Sequence, residues 1–489
     1  MTPTDRRLPW LALAGIAAVT LWRLALLAFD PPNLSFDEAQ YWAWAQTLQL
    51  GYYSKPPLVA WAIAATTALF GEGEGAIKLS SALAHAVTAL LLYALGRDLF
   101  DRRVGAWAAL GWITLPAVSL SAVMITTDPL LLTVWAAALL CLVKAERHGP
   151  GPHRWWLALG LALGLGLLAK YAMIFFVVCL AVWLVIEPSA RRLLRGGGLW
   201  LALGVGLLVY APNGVWNALH GFVSYAHTRD NANLGGALFN PAKLGEFVLG
   251  QFGVAGPLLM AALIAALVPA LGRAAPPRLR LLVAFTVPVL AVMVLESVLS
   301  RANANWAAPA YVAGTVLASA FLVRRAPKVL VASLALHVVA MAALYNLDAV
   351  RQGLALAGIH RFDPMKRIRG WDRAGEQVSA LLAAHPGARL LADERKVLAT
   401  LVYYVHPHPF DAIKWNPDGA IHDHFDQTTR LEPGPGRYLY VTETESEARS
   451  VAARFVRAQK VARIDTHRGE GHGRPLSVWL LEDFQGYGR

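Results

Sequence analysis

The chain predicts a polytopic α-helical membrane protein that ends in a small α/β domain. Of its 489 residues, 56% are hydrophobic and only 16% are charged, and the mean hydropathy is +0.44. A soluble fold cannot hide that much apolar surface. The basic residues recur in short clusters between apolar runs, which is the topology pattern of membrane proteins. The net charge of +12 therefore does not point to nucleic acid, and no nucleic-acid partner is expected. From about residue 347 charged residues become frequent, and short strand-like runs alternate with helical ones.

At about 20 apolar residues per span, the sequence gives about eleven transmembrane helices. They lie near 10–29, 76–96, 104–122, 128–146, 155–169, 171–187, 198–216, 245–271, 281–299, 304–323 and 328–346. The first follows a short basic segment and has no small-residue cleavage site, so it reads as a span rather than a signal peptide. The fifth and sixth flank Lys170 and also read as one broken pair. With alternate loops on alternate sides, Arg6/Arg7, Arg97/Arg102/Arg103, Lys144/Arg147/Arg154, Arg191/Arg192/Arg195, Arg273/Arg278/Arg280 and Arg324/Arg325/Lys328 share one face. Lys55, Lys78, Lys170, Arg229, Lys243 and Arg301 share the other, seventeen basic residues against six. The richer face is cytoplasmic, which puts the N-terminus inside and both the 30–75 loop and the C-terminus outside.

The expected organisation is a transmembrane domain over 1–346, with its outer loop at 30–75, and an extracytoplasmic α/β domain over 347–489. In the latter, strands are expected at 389–392, 438–442, 460–465 and 477–481, and helices at 394–405 and 446–459. No internal repeat is visible, and no matching pair of broken half-helices of the transporter kind. Cys141 and Cys179 lie inside apolar segments and offer neither metal spacing nor a disulfide framework.

The polar residues worth attention cluster on the outer face. Ser35-Phe36-Asp37-Glu38 opens a helix, with the sequence from 39 to 50 carrying Tyr and Trp suited to a membrane interface. Ser35 and Glu38 have capping-box spacing, a structural explanation for Glu38. The box does not need Asp37, although a carboxylate is also welcome at a helix N-terminus, so Asp37 is the sharper candidate for a general base. Asp128, in Thr126-Thr127-Asp128-Pro129, reads either as an N-cap ahead of a proline or as a second functional carboxylate. Lys55, in Tyr52-Tyr53-Ser54-Lys55-Pro56-Pro57, suits a lipid phosphate or an interfacial lysine. Lys170 has no acidic neighbour in sequence, and an ionisable residue between apolar runs usually faces a cavity or pathway. Arg301 adds an outer-face cation or is an ordinary loop arginine. His406, His408, His422 and His424, with Asp423 and Asp426, form a loose set that lacks a closed zinc pattern. A divalent metal ion is the one cofactor the pattern leaves open, and its ligands are unknown. His85 and His337 fall within apolar helices and are expected to be packed or hydrogen-bonded. No P-loop, GxSxG, HExxH or dinucleotide fingerprint occurs in a fitting context.

Taken in order, these pieces resemble the GT-C superfamily of membrane glycosyltransferases. The nearer resemblance is to the bacterial branch that holds the family 39 protein mannosyltransferases and the lipid A aminoarabinose transferase. It rests on Asp37-Glu38-Ala39-Gln40-Tyr41, on Tyr53-Ser54-Lys55-Pro56-Pro57 with Leu69-Phe70-Gly71 after it, and on Thr127-Asp128-Pro129. The resemblance implies that Asp37 is the essential outer-loop aspartate, Asp128 the second carboxylate and Lys55 the phosphate-contacting lysine. Lys170 and Arg301 join Lys55 around the donor phosphate, and Glu38, Tyr41 and Tyr53 line the substrate. The chain departs from the aminoarabinose enzymes in carrying Ser54 where they have glutamate.

The family also implies the chemistry. A sugar on a polyprenyl phosphate is passed, with inversion, to lipid A, lipopolysaccharide or another envelope glycan, less readily to protein. Asp37 would activate the acceptor, and the cations would stabilise the departing phosphate. The expected setting is the periplasmic face of a bacterial inner membrane, among its lipids. A transporter or flippase of polyprenyl-linked sugars is the alternative; it should place its key polar residues near mid-membrane, so a Lys170 deep in the bilayer would count for it. A scaffold without catalysis explains neither Lys55 nor the acidic loops.

Overall fold

The structure is a computed structural model that describes residues 3–231, 239–357, 359, 363–465 and 475–488. The chain is mostly helical and divides into two compact units. The first comprises Met1–Asp30, Lys55–Ala62 and Lys78–Leu347, and the second Pro31–Ser54, Ile63–Ile77 and Asp348–Arg489.

Among the described residues, six helices are long and apolar enough to cross a membrane, or up to eight if each of two bent pairs is one span. The six are Arg7–Phe29, Glu74–Leu99, Thr127–His148, Gly197–Leu219, Pro277–Leu299 and Pro327–Tyr345. Other expected spans are shorter or broken. The run at 104–122 splits into Arg102–Thr114 and Pro116–Ser121, because Pro116 has no N–H to continue the ladder. The run at 245–271 turns by 106° between Pro241–Ala255 and Pro257–Ala270. Gly256 forms that corner at φ +77°, and a Cβ there would sit 2.2 Å from His337 Nε2. Glycine alone satisfies both the backbone angle and the close approach.

The helix Arg154–Ala169 packs against Gly197–Leu219 through small residues. A Cβ on Gly160 would lie 2.6 Å from the Ala202 carbonyl oxygen, and one on Gly164 would lie 2.5 Å from Val209 Cβ. Such close backbone approach drives helix association where lipid removes the hydrophobic incentive. A buried arginine, Arg23, donates to neutral groups: Nε to Tyr345 Oη at 2.9 Å and Nη2 to the Ile113 carbonyl at 2.6 Å, while its Nη1 has no hydrogen-bond partner among the described residues. His85 and His337 are hydrogen-bonded as expected, His85 Nε2 to Ser121 Oγ at 3.1 Å and His337 Nε2 to Ser333 Oγ at 3.4 Å. Both cysteines are free.

The second unit is built on a five-stranded sheet. Its strands are β1 (Ala388–Ala392), β2 (Ile413–Lys414), β3 (Gly434–Thr442), β4 (Phe455–Asp465) and β5 (Pro475–Phe484), in the order β2-β1-β3-β5-β4. β1 runs parallel to β2 and β3, while β5 is antiparallel to β3 and β4. Four strands fall on the strand-like runs of the sequence. The helix expected over 446–459 is shorter: Glu445–Ala452 is helical, and Phe455 already pairs with Phe484 in the sheet. Long-range pairing overrides the local helical preference there.

The helix Phe36–Ala45 belongs to this unit and packs on Arg395–Tyr404. It is shorter than expected, and its Tyr41, Trp42 and Trp44 are buried rather than free for an interface, while Phe36 is exposed. The Trp42 ring lies 4.9 Å from that of Tyr403 and 4.6 Å from that of His408, and Trp44 stacks on Tyr52 at 4.6 Å. Tyr404 Oη accepts from Leu34 N at 2.6 Å and donates to Glu74.

Candidate active site

In the second unit, Ser35 caps the helix Phe36–Ala45 by the full capping box. The Glu38 carboxylate accepts from Ser35 N at 2.8 Å, and Ser35 Oγ accepts from Glu38 N at 3.4 Å. Glu38 is completely buried, so its carboxylate serves the helix start. Asp37, one position earlier, is different: its side chain is 45% exposed and its Oδ1 is paired with Arg395 Nη2. Its Oδ2 makes no hydrogen bond among the described residues. Asp37 occupies the second position of the helix, where the N-terminal dipole and the Arg395 guanidinium both favour a carboxylate. Tyr41 and Tyr53 are buried, Tyr41 with its ring 5.3 Å from that of Trp44, and leave little surface for a substrate. Ser54 is buried as well.

In the first unit, Lys55 is half-buried at the chain turn that precedes the helix Leu58–Phe70. Asp128 is not an N-cap. Thr126 takes that role, its hydroxyl accepting from Asp128 N at 3.2 Å, and Asp128 occupies the second position of Thr127–His148. Asp37 and Asp128 thus sit at equivalent positions of two capped helices. Asp128 is 8% exposed, and both its oxygens are engaged: Lys170 Nζ at 2.6 Å on Oδ1 and Asn305 Nδ2 at 2.8 Å on Oδ2. Lys170 itself is the break after Arg154–Ala169, in extended backbone at φ −160° and ψ 135°. The lysine that lacks an acidic neighbour in sequence therefore has one 42 residues away. Arg301 is exposed and makes no hydrogen bond or ion pair among the described residues. Asn305, four residues on, is the member of its segment that reaches the carboxylate.

The histidine and aspartate set of the second unit is committed elsewhere. His406 and His408 pack ring to ring at 4.6 Å, and His408 also lies on Trp42. Asp423 and Asp426 share Lys414 Nζ at 2.5 and 2.9 Å, and His422 Nε2 pairs with Asp418 at 2.8 Å. Burial pushes His424 down to about 4, so its imidazole is neutral. No three His, Cys, Asp or Glu among the described residues gather as a metal site. Two residues escaped sequence reasoning. Asn305 lies in a polar interruption beside Arg301 that drew attention only for its charge. Arg395 follows Asp393-Glu394 in an ordinary charged stretch, and nothing local marks it.

Comparison with known proteins places this geometry in a family. A model of the dolichyl-phosphate-mannose-protein mannosyltransferases matches residues 54–216. The lipid A galacturonosyltransferase RgtD of Rhizobium johnstonii is 33% identical over 438 residues, 89% of this chain and 91% of its own. The undecaprenyl phosphate-alpha-4-amino-4-deoxy-L-arabinose arabinosyl transferase 1 of Pseudomonas fluorescens is 32% identical over 173 residues, 34% of this chain and 31% of its own. Among solved structures, ArnT from Cupriavidus metallidurans bound to undecaprenyl phosphate shares the fold, with a TM-score of 0.64 and 16% identity over 96% of this chain and 98% of that one. Lys170 pairs with Asp128, and the named relatives are transferases, which does not favour a flippase. With a relative of this identity matched along nearly the whole of both chains, the protein is a multi-pass membrane glycosyltransferase and belongs to the GT-C superfamily.

Proposed function

We propose that this enzyme moves a uronosyl group from an undecaprenyl-phosphate-linked donor to lipid A or the lipopolysaccharide core, on the periplasmic face of a bacterial inner membrane. The observation that carries the reading is the split between the two adjacent carboxylates. Glu38 is consumed by the helix cap, whereas Asp37 is half-exposed, paired with Arg395 through one oxygen and open at the other. The similarity to a lipid A galacturonosyltransferase supports the sugar and the acceptor. The bias of basic clusters supports an inside N-terminus, an eleven-span path and an outer location for both the 30–75 loop and the C-terminal α/β domain.

The step is an inverting displacement. The acceptor hydroxyl oxygen attacks the anomeric carbon, the bond from that carbon to the phosphate oxygen breaks, and its electron pair leaves on undecaprenyl phosphate. Asp37 Oδ2 takes the hydroxyl proton. Lys55 meets the negative charge that grows on the departing phosphate, with Lys170 and Arg301 as further cations. Asp128 acts as a positioning residue: with Asn305 it fixes the Lys170 ammonium, whose remaining hydrogens are available to the phosphate.

The test is transfer in proteoliposomes from a uronosyl undecaprenyl phosphate to lipid A. Asp37→Asn and Lys55→Ala are each expected to lower kcat/KM by at least about 100-fold. Wild-type rates in both variants refute the site, and labelled lipid crossing the bilayer without transfer refutes the enzyme. A chelator arm in the same assay reads any need for a divalent ion.

A further inference from the structure

Arg395 opens the helix Arg395–Tyr404, a poor place for a cation because the helix N-terminus is already positive. It is nonetheless held firmly from the helix Phe36–Ala45. Its Nε donates to Gln40 Oε1 at 2.6 Å, its guanidinium carbon lies 5.0 Å from the centre of the Phe36 ring, and its Nη2 pairs with Asp37. Gln40 is 1% exposed, and by turning its carbonyl to Arg395 it leaves its own Nε2 without a hydrogen-bond partner. Gln40 and Phe36 hold the guanidinium without help from Asp37, so Arg395 is more than a counter-ion. Its Nη1 makes no hydrogen bond, its side chain is 28% exposed, and Asp37 is the one carboxylate it meets among the described residues. A guanidinium offers five donors in a planar fork that fits a carboxylate through two parallel hydrogen bonds. One edge of this fork is in use and the other is open.

We propose that Arg395 is the specificity-determining residue for the sugar: its open edge receives the carboxylate of the uronosyl group while the rest of the guanidinium holds Asp37. The assignment rests on the proposed function, in which Asp37 is the base. A uronosyl group next to Asp37 sets two carboxyl groups side by side, and a guanidinium between them offers each a hydrogen-bonded partner. A neutral hexosyl group gains nothing from the open edge, and a cationic amino sugar is repelled by it.

The test compares two donors that differ only at C6, galacturonosyl and galactosyl undecaprenyl phosphate, in wild type, Arg395→Gln and Arg395→Lys. Wild type is expected to favour the uronosyl donor. Arg395→Gln should lower kcat/KM for that donor about 30- to 100-fold more than for the galactosyl donor, with the difference chiefly in KM, because both donors share whatever is lost when Asp37 loses its partner. Arg395→Lys keeps the charge without the fork and should recover part of the preference. An equal loss on both donors overturns the proposal in favour of a purely structural arginine, as does an unchanged preference. A loss seen only with phosphorylated lipid A, and absent when the acceptor is dephosphorylated, overturns the carboxylate assignment. Calorimetric binding of both donors to the same detergent-solubilised variants separates this idea from the one beneath it. If wild type transfers neither sugar, a binding preference that Arg395→Gln abolishes still upholds Arg395, and the lack of such a preference refutes it.

Discussion

Removal of Lys170 tests the Asp128 ion pair. The pair stands at 2.6 Å with side chains 23% and 12% exposed, and Asn305 adds a second bond to the carboxylate at 2.8 Å. At that distance and an effective dielectric near 20, the gross attraction is about 6 kcal/mol. Most of it offsets the cost of taking both charges out of water, so the pair itself adds little net stability. Breaking it is another matter. Lys170→Ala leaves a nearly buried carboxylate with one amide partner and should cost about 3 kcal/mol, and Asp128→Ala, which strands the ammonium, should cost about the same. In the double variant neither charge remains, so the combined loss should fall short of the sum by about 2 to 3 kcal/mol. Thermal unfolding of the four proteins in one detergent gives this coupling. Donor transfer should be low in all three variants, since the double removes the stranded charge but also the ammonium proposed to meet the phosphate. Costs that add to within about 0.5 kcal/mol would show that the two groups do not act as a pair and would remove Asp128 as the residue that positions Lys170.

The adjacent acids of the first capped helix should separate cleanly. Glu38→Ala is expected to lose at least about 1 kcal/mol of stability, with kcat in the folded fraction kept, whereas Asp37→Asn should lose about 1000-fold in transfer with little change in melting. Asp393 is buried beside Thr442, whose Oγ1 donates to it at 2.9 Å, and burial pushes its carboxyl up to about 6. Because the folded form holds that proton more tightly than the unfolded chain, this contribution to stability is complete below about pH 4 and is lost as pH rises through about 6. The loss is at most about 3 kcal/mol, and it should vanish from the pH profile of Asp393→Asn. Gly160→Val places a branched side chain where even a Cβ would lie 2.6 Å from the Ala202 carbonyl, and the helix pair should lose about 1 to 3 kcal/mol in a detergent melt.

What the sequence made legible follows the range of each interaction. The capping box was readable because Ser35 and Glu38 are three residues apart and the cap is a local device. Four strands were readable because their alternation is local too. The partner of Lys170 was not, since Asp128 is 42 residues away and their approach depends on how helices pack. Arg395 is 358 residues from Asp37, and no periodicity or spacing reports a contact of that kind. The span count suffered for a related reason. Hydropathy registers apolar length but not direction, so the 106° corner at Gly256 and the break before Pro116 both read as continuous helix. Aromatic residues misled in the same way: Trp42 and Trp44 look interfacial by type, yet the fold buries them under Tyr403, His408 and Tyr52.

Charge, rather than fold, is the property most open to variation among transferases of this architecture. A base and a phosphate-binding lysine serve the reaction whatever sugar is moved, so the residues proposed for those roles, Asp37 and Lys55, carry no information about the sugar. The positions free to vary are those beside them. Ser54 is neutral where the resemblance to aminoarabinose enzymes leads one to expect an acid, and Arg395 brings a cation with an open edge to Asp37. Both features place the local charge in the positive direction, away from a cationic sugar and toward an anionic one. A single such difference would be weak, since lone charges on a surface are commonly neutral in effect. Arg395, however, is anchored by a buried amide that gives up a hydrogen bond to hold it. A fold that leaves a buried donor unpaired in order to orient a guanidinium at a helix N-terminus gives up stability at that donor, which favours a binding role for the guanidinium over a purely structural one.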